Sequence, residues 1–197
     1  MSRSETAATP LLSGAISELQ ALLTSLAPVA GPTLDRMCEG CARALERGGK
    51  LMLAGNGGSA AQCQHLAAEL TCRFSADRAA YAAIALTTDT SFLTACANDY
   101  TFEHVFARQV EALGRRGDIL MLLSTGGRSP NVLRAAGAGR ERGIEVYAFT
   151  GESGSELAAL CDEAILVPSG HPARIQEAHL LLGHQLCAGI ESRLDSV

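Results

Sequence analysis

The sequence predicts an α/β domain with a five-stranded parallel sheet and helices on both faces. Five short apolar runs alternate with helical segments, which is typical of a sheet built from β-α-β units. Two of these runs end in turns of small residues, at 55–59 and 124–129. Apolar residues make up 47% of the chain, which favours a globular protein over a disordered one. We therefore expect a single domain over residues 1–197, with residues 1–12 as a loose lead-in.

Hydrophobic periodicity places the elements in order. Residues 15–26 and 33–46 have apolar positions at helical spacing, so we expect two N-terminal helices separated by Pro28, Gly31 and Pro32. Strands are expected at 51–54, 81–86, 118–123, 144–150 and 163–167. Helices are expected at about 60–74, after a cap near Asp89, at 102–113, at 132–142, in a short segment ending near Cys161, and at 173–194.

Charge and cysteine usage exclude several classes of protein. The formal charge of −5 argues against a generic nucleic-acid-binding surface, which is basic. No apolar stretch reaches the roughly 18 residues of a membrane span, and residues 1–10 lack the apolar core of a signal peptide. We therefore expect a cytoplasmic protein. The cysteines are odd in number and scattered, and the Cys38-x-x-Cys41 pair is interpreted as two small residues on a helix.

The turn at 55–59, Gly-Asn-Gly-Gly-Ser, predicts an anion-binding site. A strand, a small turn and a helix in succession present free backbone N–H groups to an anion. The turn is neither a Walker loop nor the dinucleotide-binding Gly-x-Gly-x-x-Gly. The second turn adds hydroxyls from Ser124, Thr125 and Ser129. Either turn alone also fits an ordinary helix cap, but the two together favour a sugar-phosphate site.

Polar side chains on two helices suggest acid–base or metal chemistry near these turns. His65 and Glu69 lie four residues apart, so they share one helix face, although alone they also fit a half-exposed polar pair. The apolar last helix carries Gln176 and His184, and buried polar groups of this kind must be paired. Two imidazoles and a carboxylate suit Zn²⁺, with an amide oxygen as a rarer fourth ligand.

The combined motifs resemble the phosphoheptose isomerase family of sugar-isomerase (SIS) domain proteins, over about residues 15–193. The motifs are Gly55-Asn-Gly-Gly-Ser59, Gln64-His65-x-Ala-x-Glu69-Leu-x-x-Arg73-Phe, Asn98-Asp99, Ser124-Thr125-x-Gly127-x-Ser129 and Arg174-Ile-Gln-Glu-x-His179 with His184. The resemblance implies a flavodoxin-like SIS fold and an aldose–ketose isomerase. The implied reaction converts D-sedoheptulose 7-phosphate into D-glycero-D-manno-heptose 7-phosphate, a precursor for lipopolysaccharide or capsule.

The resemblance also implies a ligand, an assembly and residue roles. It implies one Zn²⁺ per subunit, bound by His65, Glu69, Gln176 and His184, and a homotetramer with active sites at subunit interfaces. Glu69 is the implied base and His184 the implied acid of a proton transfer through an enediol. The implied substrate-binding residues are Asn56, Gly57, Gly58, Ser59, Arg73, Asn98, Asp99, Ser124, Thr125, Gly126, Ser129 and Gln176.

The chain departs from the family pattern at three positions. Gly126 stands where the phosphate turn usually has Ser, Arg128 where it usually has Asn, and Ala173 where an Asp sometimes precedes Arg-Ile-Gln. The lost hydroxyl leaves a backbone N–H and the Arg128 cation as the replacements for phosphate binding. The departures leave the reaction class unchanged and bear on substrate preference.

Two other functions fit parts of the pattern. Non-catalytic adaptors that bind the replication initiator DnaA resemble this chain in the first turn and in Arg-Ile-Gln-Glu. They tend to lack a carboxylate at the position of Glu69, so its presence favours an enzyme. An isomerase or sensor for another sugar phosphate is the second alternative, and a sensor usually carries an additional DNA-binding domain.

Overall fold

The sheet has the predicted five parallel strands. The computed structural model describes residues 8–75 and 77–194. The strands are β1 Leu51–Gly55, β2 Ala83–Ala85, β3 Ile119–Ser124, β4 Glu145–Gly151 and β5 Glu163–Val167. They pair in the order β2-β1-β3-β4-β5, and every pair is parallel. All residues of β1 and β3 are buried, because helices cover both faces, and this explains their continuous apolar sequences.

Across residues 8–75 and 77–194, seven α-helices pack around the sheet. They are α1 Ala8–Glu46, α2 Gly58–Thr71, α3 Thr90–Asp99, α4 Ala107–Leu113, α5 Pro130–Glu141, α6 Ser155–Ala158 and α7 Pro172–Leu194. Asp89 caps α3 as expected, since its side chain accepts a hydrogen bond from the Phe92 N–H at 2.9 Å. The single helix predicted at 102–113 is divided into a short 3₁₀ helix, Phe102–His104, and α4.

The N-terminal helical extension is present, but the predicted break within it is absent. Pro28 and Pro32 lie inside α1, which runs without interruption through both. Leu22, Leu26 and Ala30 are buried at helical spacing across this segment, so packing against α7 outweighs the hydrogen bonds that the prolines remove. Residues 8–12 also belong to α1 and are not a loose lead-in, whereas residues 1–7 lie outside the described part of the chain.

The sheet separates two hydrophobic layers. Leu51 and Leu53 of β1 point into the layer formed with α1, α2 and α7, while Met52 points into the layer formed with α4 and α5. Cys38 and Cys41 lie on α1 within the first layer, which confirms that they are small buried helix residues. Among the described residues, no helix combines the length and the hydropathy needed to cross a lipid bilayer.

The strand order fixes the location of a ligand crevice. The chain first adds β2 on one side of β1 and then places β3 on the other side. Sheets of this order bind ligands beyond the carboxyl ends of the two strands at which the direction of winding reverses. The turns that follow β1 and β3 are the two small-residue turns, at 55–59 and 124–129.

Candidate active site

Both turns depend on glycine geometry. Gly57 has a φ of 55° and Gly127 a φ of 62°, in the left-handed region that favours glycine. A Cβ at Gly127 would lie 2.4 Å from the Cα of Gly154, so a larger residue would not fit there. The Gly127 N–H donates to the Ser124 hydroxyl oxygen at 3.1 Å, which closes the second turn on itself.

An amide pair joins the two turns. The side-chain amide of Asn56 donates to Asn131 Oδ1 at 2.9 Å, and that of Asn131 donates to Asn56 Oδ1 at 2.8 Å. Asn131 is buried in the first turn of α5. The pair holds together the turns that follow the neighbouring strands β1 and β3. Asn56, which the sequence assigns to substrate binding, therefore has a bridging contact within the protein.

The predicted phosphate-binding residues lie in the two turns. Ser129 is the N-cap residue of α5, and its hydroxyl makes no capping hydrogen bond. Ser59 and Ser124 are buried, at 3% and 7% exposure. A Cβ at Gly126 would meet nothing within 4 Å, so packing does not exclude a side chain at this position. Pro130 has no N–H, and the N–H groups of Val132 and Leu133 donate to the Ser129 carbonyl, so the hydroxyls supply most of the uncharged donors of this turn.

Two imidazoles and a carboxylate meet between α2 and α7. The Nε2 atoms of His65 and His184 are 2.8 Å apart, and His65 Nε2 lies 3.4 Å from Glu69 Oε1. The side chains of His65 and Glu69 are 44% and 23% exposed, so the cluster opens to solvent and is accessible to a substrate. One imidazole proton shared between two ring nitrogens can move toward either ring, so the arrangement is able to accept or donate a proton.

Helices α2 and α7 lie close together because glycines face large side chains. A Cβ at Gly58 would lie 2.7 Å from the Gln176 amide, and a Cβ at Gly183 would lie 2.6 Å from the Leu66 side chain. The Gln62 side-chain amide also donates to the backbone carbonyl oxygen of Gln176 at 2.6 Å. Gln176, early in α7, contacts the start of α2, and Gly183, later in α7, contacts Leu66 further along α2. The two helices therefore run parallel. This arrangement brings Gln176 to the start of α2 and His184 to its middle.

The donor set fits zinc. Tetrahedral Zn²⁺ with Zn–N bonds of about 2.0–2.1 Å separates two nitrogen ligands by about 3.3 Å. His65 and His184 stand closer than this, at hydrogen-bond distance, so a zinc ion between them would require the two rings to separate. Within the described residues, no three His, Cys, Asp or Glu side chains already stand in a metal-holding arrangement.

Three residues that the sequence assigns to the site lie apart from this cluster. Asn98 and Asp99 are exposed at the end of α3, where the Asn98 amide donates to Asp99 Oδ1 at 2.9 Å. Arg73 is exposed just beyond α2. Across residues 8–75 and 77–194, no hydrogen bond or ion pair connects these three side chains to His65, Glu69 or His184.

Comparison with known proteins identifies the family. The family profile described as SIS domain matches residues 16–151. The phosphoheptose isomerase of Paramagnetospirillum magneticum is 51% identical over 158 residues, which cover 80% of this chain and 82% of the relative. That of Aromatoleum aromaticum is 50% identical over 180 residues, covering 90% and 88%. The chain belongs to the phosphoheptose isomerase family.

A solved structure of a family member has the same architecture. The phosphoheptose isomerase of Neisseria gonorrhoeae is 41% identical, and the superposition has a TM-score of 0.89, covering 94% of this chain and all of the other. Both the resemblance and the flavodoxin-like SIS fold expected from the sequence are thereby confirmed. As a member of this family the chain is an enzyme, an isomerase.

The sequence did not indicate every residue that builds the site. Asn131 follows the second turn, in the first turn of α5, but its pairing with Asn56 depends on the spacing of β1 and β3. Arg78 and Glu191 form a buried ion pair between the segment after α2 and the end of α7. Glu191 lies seven residues after His184 and therefore on the same helix face, which is the one signal that could have drawn attention to it.

Proposed function

We propose that this sugar-phosphate isomerase of the phosphoheptose isomerase family converts D-sedoheptulose 7-phosphate into D-glycero-D-manno-heptose 7-phosphate. The observation that carries the proposal is the cluster of His65, Glu69 and His184 on α2 and α7, with α2 beginning at the first small-residue turn. The names of the relatives supply the class of substrate, a heptose phosphate.

The phosphate binds at the turns after β1 and β3 in this proposal. The hydroxyls of Ser59, Ser124, Thr125 and Ser129 and backbone N–H groups of the two turns hold its oxygens. The α5 macrodipole contributes about 0.3–1 kcal/mol toward a nearby anion. Arg128 is exposed in the same turn and adds a cation beside this cradle. Fixing the phosphate orients the opposite end of the sugar toward α2 and α7.

The reaction moves one proton between two carbons and one between two oxygens. Glu69 removes a proton from C1, beside the C2 carbonyl, which gives an enediol, and it returns a proton to C2. His184 gives its proton to the C2 oxygen and then takes the proton of the C1 hydroxyl as the aldehyde forms. Atoms and charge balance without an oxidant or reductant. General acid–base groups of this kind typically contribute about 10²–10⁴-fold to the rate.

Zinc is the proposed metal, with His65, Glu69, Gln176 and His184 as its ligands. When bound, Zn²⁺ polarises a carbonyl and stabilises negative charge on oxygen. A carboxylate that contacts a metal is a weaker base, so Glu69 serves one role at a time. The same four side chains therefore connect metal binding and proton transfer in this proposal.

The proposed assembly is a homotetramer with active sites at its interfaces, in the cytoplasm, whose product supplies cell-surface polysaccharide. Large apolar side chains on α1 and α7 support an assembly, since Val29 is 73% exposed and Leu181 is 41% exposed. Arg73, Asn98 and Asp99 are surface residues, so their proposed substrate contacts require a site completed by a neighbouring subunit.

The direct test is incubation of the purified protein with D-sedoheptulose 7-phosphate. We expect formation of the aldose heptose 7-phosphate, followed by nuclear magnetic resonance or by mass-balanced chromatography. Fructose 6-phosphate at the same concentration is the control for the alternative of another sugar phosphate. Absence of any aldose product, or faster turnover of the hexose phosphate, would contradict the proposed substrate. Binding of DnaA without turnover would support the adaptor alternative.

Metal content gives a separate prediction. We expect about one zinc per chain in protein purified without chelators, because two imidazoles and a carboxylate lie together and Gln176 offers an amide oxygen on the helix that carries His184. Elemental analysis by mass spectrometry measures it. His65→Gln should lower the zinc content at least about tenfold, since a ligand is lost. His104→Gln, which changes a histidine on the 3₁₀ helix, is the matched control and should retain zinc. Metal-free wild-type protein would refute this ligand set.

A further inference from the structure

A buried ion pair connects the two helices that carry the site residues. Arg78 Nε lies 2.7 Å from Glu191 Oε1, and the two side chains are only 4% and 6% exposed. Charged groups this deeply buried are costly unless all of their hydrogen-bonding groups have partners. The partners of this pair therefore indicate what it fixes in the structure.

Arg78 binds the end of α2. Its guanidinium donates to the carbonyl of Glu69 at 2.9 Å and to that of Leu70 at 2.9 Å, and it lies 3.8 Å from the centre of the Tyr81 ring. The last carbonyls of a helix have no partner within the helix, and a cation is favourable at this end. Arg78 thus caps α2 at the turn that carries Glu69.

Glu191 binds the segment that follows α2. Its carboxylate accepts from the Phe74 N–H at 3.0 Å and from the Ser75 N–H at 3.2 Å. Burial raises the pKa of Glu191, but the hydrogen bonds from Phe74, Arg78 and Ser75 outweigh it, and the pKa lies below its ordinary value. The carboxylate is therefore ionised at neutral pH and pairs with a full positive charge.

The same contacts reach the ring of His184. The Phe74 ring lies 5.6 Å from the His184 ring, so the segment held by Glu191 packs directly against this imidazole. Glu191 is two helical turns beyond His184 on the same face of α7. The pair thus ties α2 to α7 just beyond the level at which His65 meets His184.

We propose that Arg78 and Glu191 are positioning residues that set the spacing of α2 and α7, so that His65, Glu69 and His184 converge. This inference rests on the proposed function for its kinetic readout. Neither side chain is hydrogen-bonded to the side chains of the cluster, so both act through the helices. The phosphate turns adjoin the N-terminal end of α2, roughly 20 Å from its other end. Substrate affinity is therefore separable from the geometry of the reacting groups.

The test uses two variants of the pair in the full chain. Glu191→Gln removes the charge at constant size, and Arg78→Lys keeps the charge but loses the planar fork that binds two carbonyls. We expect kcat to fall about tenfold in each, with KM changed less than about twofold, because a misplaced base and acid slow the chemistry alone. Crystal structures should show the Nε2 atoms of His65 and His184 further apart than in the wild type.

The matched control is a second ion pair, at the amino-terminal ends of β1 and β3, in which the Lys50 side chain is 27% exposed. Lys50 Nζ lies 2.5 Å from Asp118 Oδ2, and the Asp118 side chain is 5% exposed. Asp118→Asn should lower Tm by a similar amount and leave kcat unchanged. An equal loss of kcat in this control would mean that general destabilisation causes the loss in the Arg78 and Glu191 variants, and it would overturn the proposal. Unchanged kcat and imidazole separation in a folded Glu191→Gln or Arg78→Lys protein would also overturn it.

The crystallographic readout keeps this inference distinct from the proposed function. A wild-type protein inactive on D-sedoheptulose 7-phosphate contradicts the substrate, while the separation of the two imidazoles in the variants still decides the positioning role. A variant that turns over the substrate at the wild-type rate with the wild-type separation contradicts the positioning role alone.

Discussion

Glu69→Gln is expected to lower kcat for aldose formation by at least about 10³-fold while the protein stays folded. Glutamine has nearly the size of glutamate but cannot accept a proton from carbon. The Glu69 side chain is 23% exposed and lies 3.4 Å from His65, and glutamine preserves its shape, so the substitution disturbs little packing. The backbone carbonyl of Glu69, which Arg78 binds, is unchanged. Steady-state kinetics and the thermal unfolding midpoint measure the two effects separately.

Glu177→Gln is the matched control for this substitution. Glu177 is a partly exposed carboxylate near the start of α7, paired with Arg174 at 2.7 Å. An exposed ion pair of this kind contributes about 0–1 kcal/mol, so the control should keep wild-type kcat. A Glu69→Gln enzyme within about tenfold of the wild-type rate would remove Glu69 from the mechanism and leave the two imidazoles as the proton-transfer groups.

The sequence determines the fold of this chain through local patterns. Apolar runs such as 119–123 are buried on both sides, so they are recognisable without knowledge of their neighbours. The spacing of His65 and Glu69 on α2, and the apolar setting of His184 on α7, likewise predict a shared polar contact. The structure brings these three side chains together between parallel helices. Local periodicity places each side chain on a helix face, whereas the meeting of the two faces depends on the packing of α2 against α7.

Contacts that depend on distant packing were not predictable in this way. Pro28 and Pro32 are strong local signals for a break, yet α1 continues because Leu22, Leu26 and Ala30 are buried along one face. That burial is known only once α7 is in place. The amide pair between the turns and the ion pair between Arg78 and Glu191 depend on the same long-range register. No spacing in the sequence indicates that the members of either pair are in contact.

His179 is a buried histidine whose protonation opposes folding. It is fully buried on α7, and neither ring nitrogen has a hydrogen-bond partner among the described residues. Burial lowers the pKa of His179 to about 4, while a nearby backbone group of Thr150 opposes the shift without reaching hydrogen-bond geometry. The ring is therefore neutral in the folded protein at neutral pH.

The stability of the protein should consequently fall as the pH is lowered. The pKa of His179 in the folded state, about 4, lies below the ordinary value of 6.5, so the unfolded chain binds a proton that the folded chain does not. The contribution of the neutral His179 ring to the stability of the fold is fully present above pH 6.5 and is lost as the pH falls from there through 4. This amounts to about 2 kcal/mol between pH 7 and pH 5.

His179→Leu is expected to remove this pH dependence, because leucine fills a similar volume and does not titrate. Urea unfolding at a fixed protein concentration, at pH 7 and at pH 5, measures the change in the free energy of unfolding. The wild type should lose about 2 kcal/mol more than the variant over this interval. His171→Leu, at an exposed histidine just before α7, should keep the wild-type dependence because that ring contacts water in both states. Equal losses in the wild type and in His179→Leu would mean that another group controls the acid sensitivity of this fold.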